Sequence, residues 1–152
     1  MISPDEGGAT NYRSPSFDPK TGLLIVSAAD AYAIYFYKPE HGDYGWAGAD
    51  YTLHSKGVLR AIDFDSGNIV WEHDIHGRAG MAGVLTTASG LTFTGDSQFS
   101  ALALRSKDGK TLWHSGIGKM ANPPITYMLD GKQYVLLGGD GGLFAFCLPE
   151  KK

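Results

Sequence analysis

Ala61-Ile-Asp-Phe-Asp-Ser-Gly-Asn-Ile-Val-Trp71 is followed by a second copy, Ala103-Leu-Arg-Ser-Lys-Asp-Gly-Lys-Thr-Leu-Trp113. The alanines, the glycines Gly67 and Gly109, and the tryptophans each stand 42 residues apart. A fixed period of this size marks a supersecondary unit that buries its apolar face only by stacking on copies of itself. Each copy reads as a β-hairpin. Residues 58–62 and 100–104 enter, Asp65-Ser-Gly67 and Lys107-Asp-Gly109 turn, and the segments through Trp71 and Trp113 return. Asp initiates such a turn and Gly supplies the positive φ it needs.

Hairpins of a second kind flank these copies. Val84-Leu-Thr-Thr-Ala-Ser-Gly-Leu-Thr-Phe-Thr-Gly95 divides at Ser89-Gly90. Pro124-Ile-Thr-Tyr-Met-Leu129 and Lys132-Gln-Tyr-Val-Leu-Leu137 meet at Asp130-Gly131. Residues 12–17 and 23–27 meet at Asp18-Pro-Lys-Thr-Gly22. The hydrophobic period is two throughout and no helical segment stands out. Hairpins at this spacing predict an all-β chain, a partial β-propeller of about eleven strands. Two four-stranded antiparallel blades, about 9–76 and 82–117, precede a three-stranded final blade at about 122–149. Propellers typically close with about four to eight blades, so the chain is an arc.

Residues 29–56 read as an insertion between the hairpins of the first blade. It carries Asp30, His41, Asp43, Asp50 and His54, with Tyr32, Tyr35, Phe36, Tyr37, Tyr44, Trp46 and Tyr51. So long a connection is usually a functional loop or a disordered one, and its aromatics predict an ordered loop packed on the propeller face. His73 and His76, at i and i+3 near a strand end, point to opposite faces and read as solvated. Gly138-Gly-Asp-Gly-Gly142 has the composition of a phosphate loop, but no helix follows it, so it reads as a strand bend or blade turn.

Composition agrees with a globular β protein: 152 residues, 43% hydrophobic, 19% charged, 21 glycines. The net charge of −3 gives no reason to expect nucleic acid or an anionic membrane as partner. No apolar run approaches the roughly 18 residues of a membrane span. The first residues, Met1-Ile-Ser-Pro-Asp-Glu-Gly-Gly, lack the basic and apolar regions of a secretory signal. The lone Cys147, in the alternation Leu143-Phe-Ala-Phe-Cys-Leu148, is expected to be a buried small hydrophobe. Cut blades expose strand edges and apolar faces, so missing blades or self-association are possible partners.

The repeat resembles the tryptophan-docking motif of the PQQ-dependent alcohol and methanol dehydrogenases, eight-bladed quinoprotein propellers. Gly8-Ala-Thr-Asn-Tyr-Arg-Ser-Pro-Ser-Phe-Asp-Pro-Lys-Thr-Gly22, the 83–95 stretch and Pro124-Ile-Thr-Tyr-Met-Leu-Asp-Gly-Lys-Gln-Tyr-Val135 resemble the C-terminal part of that family. The resemblance covers nearly the whole chain, in order and spacing. It implies that each Trp packs between its own Ala and the Gly turn of the neighbouring blade. It implies a C-terminal segment of a periplasmic enzyme that oxidises alcohols to aldehydes and passes electrons to an acceptor. The cofactor would be PQQ, with Ca²⁺ or a lanthanide beside it.

The same resemblance names the cofactor-side residues. Asn11 matches an Asn whose amide reaches the quinone, and Tyr12 stands where the family usually has Trp. Met81 stands where a second Trp is common, and backbone near Val84 approaches the cofactor. The family's metal ligands, general base and adjacent-cysteine disulfide belong to earlier blades, and none of their motifs occurs here. The chain is therefore not expected to be catalytic by itself and is assigned no metal ligand. An alternative from another class is a non-catalytic PQQ-like propeller scaffold.

Overall fold

A computed structural model describes residues 1–38, 40, 48–77, 82–120 and 122–149. It contains eleven strands and, among these residues, no α-helix. They are β1 (Ser16–Asp18), β2 (Leu23–Tyr37), β3 (Gly48–Asp63), β4 (Ile69–Asp74), β5 (Leu85–Thr86), β6 (Leu91–Gly95), β7 (Ser100–Arg105), β8 (Thr111–Gly116), β9 (Ile125–Leu129), β10 (Lys132–Gly139) and β11 (Gly142–Cys147). They pair as three sheets in the orders β1-β2-β3-β4, β5-β6-β7-β8 and β11-β10-β9. All pairs are antiparallel. The expected partial propeller of two four-stranded blades and one three-stranded blade is what the chain forms.

Each sheet buries one face against the next. Leu23, Ile25, Leu59 and Ala61 of the first sheet meet Val84, Leu102 and Leu104, with Trp71 packed against them. Ala101, Val135 and Leu137 lie in the core that continues to the third sheet, with Phe93, Trp113, Phe144 and Phe146 against it. The 42-residue repeat supplies the contact between the first two sheets. Trp71 stands opposite Ala61 across the β3–β4 ladder. Its indole N–H donates to the Ser106 carbonyl at 3.0 Å. Its ring lies on Gly109, where a Cβ would sit 2.6 Å from Cε3. Glycine at 109 is thus required twice, by φ of +68° and by the indole.

Among the described residues the third sheet has three strands. The period continues to Ala145, which is exposed, whereas Ala61 and Ala103 are buried beneath the strands that carry Trp71 and Trp113. Among the described residues no strand pairs with the free edge of β11. An apolar cavity of about 620 Å³ lies beside Trp113, Phe93, Phe146 and Leu148. Beside Trp71, the corresponding place is filled by the 106–109 turn.

Two expectations are corrected. The insertion is not a loop on the propeller face: β2 and β3 run on as one paired ribbon from Leu23↔Asp63 to Tyr37↔Gly48. Ala29, Ala31 and Ala33 are buried, while Tyr32, Ile34 and Phe36 are exposed, so a strand period underlies the aromatic-rich sequence. His41, Asp43, Tyr44 and Trp46 lie outside the described residues. Cys147 is exposed rather than buried. It sits opposite Tyr134 at the end of β11 and borders the cavity beside Trp113, whereas Phe144 and Phe146 pack against the core. Gly139↔Gly142 closes the β10–β11 hairpin, so the glycine run is a turn. His76 is exposed and donates its backbone N–H to Asp74 Oδ1 at 2.7 Å.

Candidate functional site

The first strands of the first two sheets converge. The Ser16 and Thr86 hydroxyls lie 2.7 Å apart, the Thr86 N–H donates to Ser16 Oγ at 3.0 Å, and Thr86 Oγ1 donates to the Phe17 carbonyl at 3.1 Å. The segments leading into these strands are therefore neighbours, and they are the ones that hold the expected cofactor-side residues. A backbone bond of 2.9 Å from the Val84 N–H to the Ser14 carbonyl ties them together.

Asn11 is exposed, and its Nδ2 donates to the Gly7 carbonyl at 3.2 Å. It closes a turn that begins where Asp5 Oδ1 accepts the Gly7 N–H at 3.1 Å. The amide is thus held by its own segment. Tyr12 is 72% exposed, with the Arg13 guanidinium 4.9 Å from its ring centroid. A cation over the phenol face restrains an otherwise free ring. Val84 is buried in the core, and its N–H is engaged by the Ser14 carbonyl. Met81 lies outside the described residues.

The Ala82–Gly83 backbone is held from both flanking sheets. Ser27 Oγ on β2 donates to the Ala82 carbonyl at 2.6 Å, and Thr94 Oγ1 on β6 donates to the Gly83 carbonyl at 3.2 Å. A Cβ at Gly83 would lie 2.6 Å from Pro123 Cβ, so the segment entering β9 presses on it as well. The sequence reading passed over Ser27 and Thr94. The only signal was a hydroxyl at an apolar strand position, and such a group must find an acceptor when buried.

The groups whose titration is displaced stand on the first sheet, away from this segment. The Ser66 hydroxyl, and then its N–H, hold the Asp63 carboxyl below its ordinary value. The His76 N–H does the same for Asp74 against a burial effect, with Lys56 adding to it. Arg60 is held up first by its hydrogen bond to Glu72 at 2.5 Å, and also by Asp30 at 2.8 Å. Among the described residues no three His, Cys, Asp or Glu side chains are grouped to hold a metal ion. Of the residues that the resemblance names, Asn11 offers an exposed amide with a second N–H that can donate to a ligand's carbonyl oxygen, whereas Ala82, Gly83 and Val84 are buried.

Residues 57–135 match the family model of the PQQ glucose/ethanol/alcohol dehydrogenase β-propeller domain. The chain is 35% identical over 142 residues to a quinoprotein ethanol dehydrogenase of Pseudomonas aeruginosa, covering 88% of this chain and 23% of that protein. It superposes on a quinohemoprotein alcohol dehydrogenase of Pseudomonas putida HK5 with a TM-score of 0.80 at 23% identity, over 93% of this chain and 24% of that one. A europium-containing methanol dehydrogenase gives a TM-score of 0.78 at 26% identity, over 90% of this chain and 26% of that one. The chain thus spans about a quarter of the length of the proteins it matches. With its repeat, its sheet topology and its matched residues in agreement, the chain belongs to the PQQ-dependent glucose/ethanol/alcohol dehydrogenase β-propeller family and represents a fragment of such a propeller.

Proposed function

We propose that this chain forms one side of a PQQ channel in an alcohol-oxidising quinoprotein, with its remaining wall and its metal ligands supplied from outside the chain. The observation that carries the reading is the Val84–Ser14 bond at the converging strand edges. It brings the two segments that the resemblance assigns to the cofactor into one wall. Asn11 would donate its amide to the quinone and Tyr12 would border it, while the buried 82–84 backbone would anchor their segment through Ser14. PQQ, when bound, supplies the two-electron acceptor for oxidation of an alcohol to an aldehyde, and a Ca²⁺ or lanthanide ion beside it polarises the quinone. The same reading puts the intact protein in the periplasm, which cell fractionation checks.

An arc presents only part of a ligand's contacts, so the isolated chain should bind PQQ weakly and oxidise no alcohol. The test is an NMR titration with PQQ and Ca²⁺. Amide shifts confined to residues 9–14 and 82–84 support the reading. Shifts centred on the Trp113 cavity, or none anywhere, refute it. Tight binding with alcohol:dye activity would overturn the claim that the site is partial. The scaffold alternative draws on the buried Val84 side chain and on Tyr12 and Met81, which stand in place of indoles. It predicts the null titration.

A further inference from the structure

The 42-residue period aligns Arg60 with Leu102 and Phe144, and Ile62 with Leu104 and Phe146. Leu102 and Leu104 pack on the first sheet, against Leu59 and Ala61. Phe144 and Phe146 pack on the second, in one core with Ala101. These pairs lie on the face that each sheet turns to the one before it. In the first sheet that face is open and carries a charge cluster. Arg60 alternates with Leu59 and Ala61, so it points away from the second sheet. Its Nη2 donates to Asp30 Oδ2 at 2.8 Å and its Nε to Glu72 Oε1 at 2.5 Å.

The other end of the arc is apolar. Leu59 and Ala61, Ala101 and Ala103, and Leu143 and Ala145 hold equivalent positions on the faces that look the opposite way. The first two pairs are buried, whereas Leu143 is 74% exposed and Ala145 is exposed. Leu136 and Ile125 extend the Ala145 row across the third sheet, on the side opposite Val135 and Leu137 of the core. Ile125 is 54% exposed. In both sheet contacts that the chain forms, such a face is covered by an apolar pair two residues apart.

We propose that the open face of the third sheet docks a further β-sheet presenting such an apolar pair, and that the Asp30–Arg60–Glu72 cluster bars a second copy of this chain from being that sheet. Head-to-tail stacking of copies would set Arg60 and its two carboxylates where Leu102 meets the first sheet. Taking these ions out of water against Leu143 and Ala145 costs more than their mutual attraction returns, because an apolar face offers them no further hydrogen bond. An aliphatic pair at the same place gains from burial. The chain thus distinguishes the sheet it accepts from itself, and copies do not run on as an open stack.

The test mixes two forms of the full chain. One is native and isotope-labelled, and its Leu136 and Ala145 amides report by NMR. The other is unlabelled and carries Leu143→Asp, which blocks its own third sheet. Its first sheet is either native or made aliphatic by Asp30→Ala, Arg60→Leu and Glu72→Ala. The aliphatic form should shift the Leu136 and Ala145 amides saturably, and bind at least about tenfold tighter than the native-faced form. Circular dichroism checks folding, and Asp30→Asn, Arg60→Leu, Glu72→Gln replaces the first set if that set melts early. Equal shifts from both forms overturn the role of the cluster. No shift from either, or shifts centred on Phe93 and Trp113, overturns the docking surface. Shifts at Ala145 that grow with concentration in the native chain alone also overturn the proposal, because copies then dock.

Discussion

Replacing Trp71 with alanine removes the indole that joins the first two sheets, and the cost can be worked from its contacts. The ring is half-buried between Ala61 and Gly109, and its N–H donates to Ser106 at 3.0 Å. An indole covers about 150–250 Å². Discounted for its partial exposure, that area at about 25 cal/mol per Å² gives roughly 3 kcal/mol. The lost hydrogen bond adds about 1 kcal/mol, which places the total at about 3–5 kcal/mol, the usual range for such truncations. In a chain of this size the melting temperature should fall by roughly 8–15 °C, followed by far-ultraviolet circular dichroism. Trp113→Ala is the internal control. Trp113 meets Phe146 edge-on at 4.9 Å but lines the open cavity, so its removal leaves less behind and should cost less. A Trp71→Ala melt that falls no further than that of Trp113→Ala would refute the reasoning.

The turn glycines offer a second test. Gly67→Ala should cost only the positive φ, about 1–2 kcal/mol, because no atom lies within 4 Å of the new methyl. Gly109→Ala should cost clearly more, and the excess should vanish in a Trp71→Ala background, as a double-mutant cycle in urea reads directly. Asp63 and Asp74 predict an acid limb. Both carboxyls are depressed in the fold, so their stabilisation is complete above the unfolded value of about 3.9 and is lost as pH falls through the lower folded values. Urea midpoints from pH 7 to pH 2 should fall less steeply for Asp63→Asn and Asp74→Asn than for the native chain. Arg60→Met should lower stability by about 1 kcal/mol at low ionic strength, with the gap closing as salt is added, because Asp30 and Glu72 are 43% and 47% exposed. An effect independent of salt would show that Arg60 acts through packing.

The repeat in the sequence was enough to give the blade architecture. Local turn chemistry at Asp65-Ser-Gly67 and Lys107-Asp-Gly109, with strands of period two, specifies hairpins without reference to the rest of the fold. A period of 42 residues then demands stacked copies. Tertiary structure decided what hydrophobicity could not distinguish. Residues 29–37 are apolar or aromatic at nearly every position, so alternation was invisible until pairing showed the alanines inside and the larger side chains outside. Cys147 alternates in an apolar run too, and only the one-sided packing of the third sheet chose which residues of that run are covered. For the candidate site, the resemblance pointed to Asn11 and Val84. The fold brought their segments together and revealed Ser27 and Thr94, whose partners lie 55 residues later and 11 residues earlier in the chain. Hairpins are written in neighbouring residues. A wall between two sheets depends on where distant carbonyls come to rest, and only the packed chain determines that.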